Sequence, residues 1–328
     1  MVSSRRELWQ VRPASSDDVS AIVRLINGHW QTLCGENKID ESEVRSWFFE
    51  AGAPQDDTQG WWNAGGELRA YAQVYKGDFP NHWDGYYDVT ADPAVAHDAD
   101  LWEQVFGWCD RRAQTLRVAD PERGLCCGAR AHEADAAKLR ELELRGFGRV
   151  RVETLMRVQL DGRLAHPAPV DGIAIRVLDL RADLEAYAAA YAESFAEHWG
   201  HVDRPLRDWV RSFRGNFESW EPFLVPETWF VAVDSDEVVG SIGSFPGIGG
   251  DPTGSYVYHV FVRPAWRHRG IAAALLRHTL LALRERGCRM AELHVDSENT
   301  TGALELYRSV GMRPVWHQWA LERRALPQ

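Results

Sequence analysis

The sequence is poor in lysine, in paired cysteine and in long apolar runs. No apolar stretch approaches the ~18 residues of a membrane span, and the polar start (Ser3, Ser4, Arg5, Arg6, Glu7) does not read as a signal peptide. The five cysteines, Cys34, Cys109, Cys126, Cys127 and Cys288, form no C-x-x-C pair. They argue against a zinc site or disulfide framework and for a reducing, cytoplasmic setting. Lysine occurs only at Lys38, Lys76 and Lys138, and 37 basic residues face 48 acidic ones, for a net charge of -11. Nucleic-acid binding by phosphate neutralisation is a poor fit to that balance. The expectation is therefore no membrane, no nucleic acid and no metal.

What is present suits an α/β protein of two domains. The 328 residues are about twice the ~150-residue prior for one domain. The 15 tryptophans read mainly as bulky packing residues. Residues 161–172, rich in Pro, Gly and Ala, read as a linker between a domain over 1–160 and a second over 173–328.

The two halves carry the same pattern. Leu8 to Arg12 and Ile173 to Leu178 are strand-like. Each is followed by an amphipathic helix, marked by Val19, Ile22, Val23 and Ile26 in one half and by Leu184, Tyr187, Ala188 and Tyr191 in the other. Gly146-Phe147 and Gly311-Met312 each close a helix before a terminal strand. Landmarks recur about 165 residues apart, which predicts a duplicated unit of mixed sheet and flanking helices.

In the second half, the strand Tyr256 to Val262 runs into Arg263-Pro264-Ala265-Trp266-Arg267-His268-Arg269-Gly270-Ile271-Ala272 and then a long helix to about Arg286. A strand feeding a basic, glycine-containing turn at a helix N-terminus presents free N–H groups and the positive end of the helix dipole to an anion. The corresponding turn of the first half holds Asp98 and Asp100 and lacks arginine and glycine, so it repels a phosphate.

Arg267-His268-Arg269-Gly270-Ile271-Ala272 resembles the acyl-CoA-binding motif of the GCN5-related N-acetyltransferase (GNAT) superfamily, Gln/Arg-x-x-Gly-x-Gly/Ala after a strand. The stretch from Leu293 to Met312 is similar to the family's next strand and helix, with Asn299, Ala303, Tyr307 and Gly311 in register. Arg207-Asp208-Trp209 and the preceding Glu197-His198-Trp199 resemble bacterial tandem members related to mycothiol synthase.

The resemblance implies two tandem GNAT domains, the first degenerate and the second catalytic, with acetyl-CoA as co-substrate. Val260, Phe261 and Val262 would offer the strand backbone to the pantetheine arm. The N–H groups from Arg267 to Ala272 would hold the pyrophosphate, and Asn299 and Ala303 would complete the cofactor site. Tyr307 would protonate the leaving thiolate, since a phenol of pKa near ~10 is a reasonable donor.

Many members place a basic glutamate where this sequence has Tyr256. The base is therefore left open among a water chain, His259 if a bulge turns the strand, a group from the substrate-side loops, or an amine that arrives neutral. Glu197, His198 and Trp199 are the candidate acceptor-binding residues. The implied acceptor is a small-molecule amine, on the closest resemblance an amino sugar–cysteine conjugate, and the implied assembly a monomer or homodimer. A non-catalytic acyl-CoA-binding or scaffolding protein and a protein N-acetyltransferase are the alternatives.

Overall fold

The same ion pair opens each half of the chain. Arg12 grips the Asp18 carboxylate with two hydrogen bonds of 2.7 Å, and Arg176 grips Asp183 with two of 2.6 and 2.8 Å. Both pairs tie a first strand to a first helix, and they lie about 165 residues apart, as the predicted repeat requires. The computed structural model describes residues 8–50, 57–75, 83–116, 125–162, 164–247, 249–298 and 302–324.

The first half forms β1 (Gln10–Arg12), α1 (Val19–Cys34), α2 (Glu41–Val44), β2 (Thr58–Trp62), β3 (Leu68–Tyr75), β4 (Gly85–Ala91), α3 (Ala99–Leu116), β5 (Cys126–His132), α4 (Ala136–Leu144) and β6 (Gly148–Gln159). The second forms β7 (Ile173–Val177), α5 (Leu184–Ser194), α6 (Leu206–Ser219), β8 (Phe230–Asp234), β9 (Glu237–Pro246), β10 (Ser255–Val262), α7 (Ile271–Glu285), β11 (Met290–Asp296), α8 (Ala303–Ser309) and β12 (Arg313–Arg324). Helix α6 carries Arg207-Asp208-Trp209. Its Trp209, Phe213 and Phe217 are buried at i, i+4 and i+8, the spacing of one helical face.

By contacts the chain divides into Met1–Arg151 with Gln318–Gln328, and Val152–His317. These units do not follow the expected boundaries at 160 and 173, because the halves exchange their terminal strands. In the first unit the end of β12 pairs antiparallel with β5, from Gln318↔His132 to Arg324↔Cys126. In the second unit β6 pairs antiparallel with β11, from Glu153↔Asp296 to Gln159↔Met290. The sheet orders are β1-β2-β3-β4-β5-β12 in the first unit and β6-β11-β10-β9-β8-β7 in the second.

In the first unit, α3 and α4 cover a core holding Trp61, Tyr87, Trp102, Phe106 and Leu321, while α1 covers Ile22, Val44, Trp62 and Tyr71 on the other face. In the second unit, α7 and α8 cover Val257, Leu275, Leu280, Leu293, Val295 and Met312, joined by Met156, Val158 and Leu160 of the exchanged strand. Its opposite face is aromatic, with Tyr187, Tyr191, Phe213, Trp229 and Phe261 packed edge to face under α5 and α6. No helix is long and apolar enough to cross a membrane, among the residues described.

Candidate active site

The second unit's sheet opens where the chemistry was expected. Strand β10 pairs along its length with β9, but its parallel pairing with β11 is one rung, Tyr256↔Glu292. Beyond that rung the β11-facing edge of β10, carrying His259 to Val262, makes no ladder with β11. Backbone donors and acceptors left this way beside a sheet suit an extended polar chain that adds as a further strand.

A β-bulge lies at the same place. The β9–β10 register shifts between Val257↔Ser244 and His259↔Gly243, leaving Tyr258 as the extra residue. Val257 packs on the α7 side, and the bulge sends Val260 and Val262 to that side as well. His259 and Phe261 are therefore turned to the α5/α6 side, the face that carries Tyr256 and Tyr258. Simple alternation had His259 pointing away from Tyr256, and the bulge supplies the turn.

His259 is nonetheless enclosed. Its ring lies 5.5 Å from Trp229 and 5.4 Å from Phe261, its Nε2 is 3.1 Å from the Tyr187 hydroxyl, and its Nδ1 is buried with no partner among the described residues. Burial pulls its pKa down to about 3, so the imidazole is neutral. That is the character of a packed core histidine and a weak proton acceptor. Gly243, opposite it, admits the Trp229 ring so closely that a Cβ there would lie 2.4 Å from it.

After Val262 the chain makes a short turn, Pro264–Trp266, and reaches α7 through His268 (φ 63°) and Gly270 (φ 83°), both left-handed. The first backbone bond of α7 runs from the Ala274 amide to Gly270. The amides from His268 to Ala273 have no acceptor among the described residues, and Gly270, which caps the helix, has no side chain to fill them. They form an open cluster of donors at a helix N-terminus.

The side chains of the turn are tied to the surrounding fold. Arg267 reaches back to α5, donating to the Ser194 carbonyl (2.9 Å) and pairing with Glu197 (3.2 Å). Arg269 donates to the Asp171 carbonyl (3.0 Å) and lies 3.5 Å from Asp234, which also accepts from Trp266 Nε1 (2.8 Å). His268, Arg269 and Gly270 are exposed. The guanidinium of Arg267 fastens the turn, and the backbone amides face outward.

The remaining expected residues are placed as follows. Ile271 is buried and Ala272 packs at the edge of the α7 core. Tyr307 on α8 and the adjoining Ala303 belong to the same cluster, and burial raises the Tyr307 phenol above its ordinary value. Asn299 lies outside the described residues. The His198 ring lies tilted against Phe195 with centroids 4.4 Å apart, and burial followed by the nearby Arg267 lowers its pKa. Glu197 is held by Arg267, and Trp199 is half-buried.

Two groups escaped the sequence reading. Tyr256 Oη lies 3.0 Å from His294 Nδ1, and Thr154 Oγ1 lies 2.6 Å from Ser297 Oγ and 2.8 Å from His317 Nδ1. For His294 a signal existed. Along β11, Ala291, Leu293 and Val295 are buried and alternate with half-buried Glu292, His294 and Asp296. The Thr154 group joins residues 143 and 163 positions apart through the exchanged strand, and no local pattern announces it.

The first unit closes the equivalent site. Helix α3 starts at Ala99, which sets Asp98 at the cap position where α7 has Gly270. Asp98 Oδ1 accepts from the amides of Asp100 (2.9 Å) and Leu101 (3.1 Å), so the carboxylate already fills the helix end.

An α/β unit whose sheet opens beside a bulge and a donor-rich helix start offers an extended anionic ligand a free strand edge and a cluster of backbone donors. Residues 185–312 match the Acetyltransferase (GNAT) family. The chain is 31% identical over 219 residues to a mycothiol acetyltransferase of Thermobifida fusca, covering 62% of this chain and 63% of that one. It is 30% identical over 179 residues to one of Geodermatophilus obscurus, covering 51% and 53%. The matched part thus spans less than two thirds of these relatives' length. A GCN5-related N-acetyltransferase from Sphaerobacter thermophilus superposes with a TM-score of 0.79 at 25% identity, covering 97% of this chain and 96% of that one. A tandem GNAT protein from the clavulanic acid biosynthesis pathway does so with 0.73 at 14% identity, covering 98% and 100%, and shares the two-domain fold.

Proposed function

We infer that the protein is an acetyl-CoA-dependent N-acetyltransferase acting on a small-molecule amine, with its active site in the second unit. The carrying observation is the contrast between two helix starts: the amides before and within the first turn of α7 are open, whereas those of α3 are filled by Asp98. The open amides fit a pyrophosphate, and the unpaired edge of β10 from His259 to Val262 fits the amide groups of a pantetheine arm. Acetyl-CoA, once bound, supplies the activated thioester.

In the ternary complex the amine nitrogen attacks the thioester carbonyl carbon, the carbon–sulfur bond breaks, and the thiolate takes a proton. Tyr307 is the donor, on the α7/α8 side of the opening. Burial raises the pKa of the Tyr307 phenol and so weakens it as an acid, and the same apolar surroundings make a thiolate formed beside it a stronger base. The backbone at the bulge and the helix start supplies fixed dipoles for the developing oxyanion and the phosphates.

The acceptor class is an amino sugar–cysteine conjugate and the setting the cytoplasm, and the similarity to two proteins named mycothiol acetyltransferase supports the first of these. Acetyl-CoA turnover with S-methylcysteine, glucosamine, spermidine, tryptamine and a lysine-containing peptide tests the reading. Thiol release and acetylated product are expected with a small amine. Acetyl-CoA binding without any turnover would favour a binding module, and acetylation of the peptide alone would favour a protein substrate.

A further inference from the structure

The site as described has a proton donor for the thiolate and no acceptor for the proton that the amine must lose. The carboxylate position on β10 carries Tyr256, and His259 is enclosed and neutral. The pair at the apex of the opening is Tyr256 and His294, joined at 3.0 Å. Tyr256 stands on the last rung of the β10–β11 ladder. His294 is the next residue on the same face of β11 beyond that rung. Both are half-buried.

Their position relative to Tyr307 is the second observation. Tyr307 packs with Leu293 and Val295 on the α7/α8 side of the sheet. Tyr256 and His294 lie on the other side, where His294 also meets Trp316 at 5.2 Å. A group bound in the opening between β10 and β11 is thus flanked by a phenol on one face and a phenol–imidazole pair on the other. Direct transfer asks for that division, because the amine approaches one side of the thioester while the thiolate is protonated from elsewhere.

We propose that Tyr256 and His294 together take the proton from the attacking amine. This rests on the acetyltransferase reading above. The ammonium formed on attack gives its proton to Tyr256 Oη as Tyr256 passes its own proton to His294 Nδ1. A neutral imidazole becomes imidazolium and the phenol is regenerated. Tyr256 is the catalytic residue of the pair and His294, which acts through it, a positioning residue and proton store. An imidazole is suited to the role because its unperturbed pKa lies near neutrality. The charged groups sharing its surroundings are Glu292 and Asp296 on β11, and Arg157 and Glu153, their partners across β6, with Arg157 and Glu292 already ion-paired.

The test uses the full chain with acetyl-CoA and whichever of the amines named above the wild type acetylates, with acetyl-CoA affinity measured separately by calorimetry. Tyr256→Phe and His294→Gln are each expected to lower kcat about 10²-fold or more, the usual worth of a positioned acid–base group, while acetyl-CoA binds as in the wild type. The wild-type rate should fall on the acid side as the imidazole protonates, and His294→Gln should lose that limb. His294→Asn serves where the glutamine variant binds no acetyl-CoA. A wild type that turns over, beside His294 variants of unchanged kcat and pH profile, overturns the pair and leaves the acetyltransferase reading intact. A wild type that acetylates none of the amines overturns both.

Discussion

Asp98 accepts a hydrogen bond from the Leu101 amide, 3.1 Å away, and so occupies the start of α3 with the protein's own carboxylate. The equivalent start of α7 is capped by Gly270, and no side chain among the described residues accepts from its amides. The corresponding helix start is thereby closed by a side chain in the first unit and left open among the described residues in the second. Asp98→Ala removes a helix cap and is expected to lower stability by about 1 kcal/mol, read as a lower denaturant midpoint. Calorimetry with acetyl-CoA should give one site per chain before and after the substitution. A second equivalent bound by the wild type would overturn the assignment of the first unit as degenerate.

Gly270 holds φ at 83°, and a Cβ there would meet no atom within 4 Å. Space is therefore no obstacle to a side chain, and the obstacle is the left-handed backbone, which costs an L-residue roughly 1–2 kcal/mol. Gly270→Ala should raise the Kd for acetyl-CoA about 5- to 30-fold, with kcat at saturation little changed. An unchanged Kd would mean that this turn does not hold the cofactor.

Tyr307→Phe keeps the ring that packs on α7 and removes only the hydroxyl. The melting temperature should hold, the KM for acetyl-CoA should hold, and kcat should fall about 10²-fold or more as the thiolate loses its donor. Full activity in the variant would reduce Tyr307 to a core aromatic.

The repeat, the order of elements, and the two motifs of the second half were legible because each depends on local chemistry. Arg12–Asp18 and Arg176–Asp183 recur at the predicted interval, and Gly270 sits where a helix start needs it. The exchanged strands were not legible: Arg149 to Val158 reads as the end of the first half whichever sheet it joins. Neither was the bulge at Tyr258, which depends on β9 offering Gly243 beneath Trp229. The turn's sequence marks Arg267 as a cation beside the backbone donors and does not show where its guanidinium goes. Its tie to the Ser194 carbonyl depends on where α5 ends in space.

The strand exchange has its own consequence. Leu321, written in the second half, is fully buried in the first unit's core, and Glu322 accepts from Trp83 Nε1 at 2.8 Å beside it. Leu321→Ala should lower the stability of the first unit by about 2–5 kcal/mol, as large-to-small core changes do. Hydrogen exchange would locate the loss in residues of β4 and β5, although the substitution lies seven residues from the chain's end. Confinement of the loss to the second unit would contradict the exchange.

His259 gives a prediction with a definite sign. Burial lowers its folded-state pKa from 6.5 to about 3. Above pH 6.5 the imidazole is neutral folded or unfolded, and it adds no pH dependence. Between pH 6.5 and 3 the unfolded chain binds a proton that the folded chain refuses, so stability falls as pH falls, by up to about 1.4 kcal/mol per pH unit from this one group. His259→Gln keeps a polar atom toward the Tyr187 hydroxyl and removes the titration. Its unfolding free energy, measured by denaturant from pH 7 to pH 4.5, should decline less steeply than that of the wild type, the two curves converging as the pH drops. Parallel curves would show that His259 is protonated in the folded protein, and would return it to the list of groups able to take a proton from the amine.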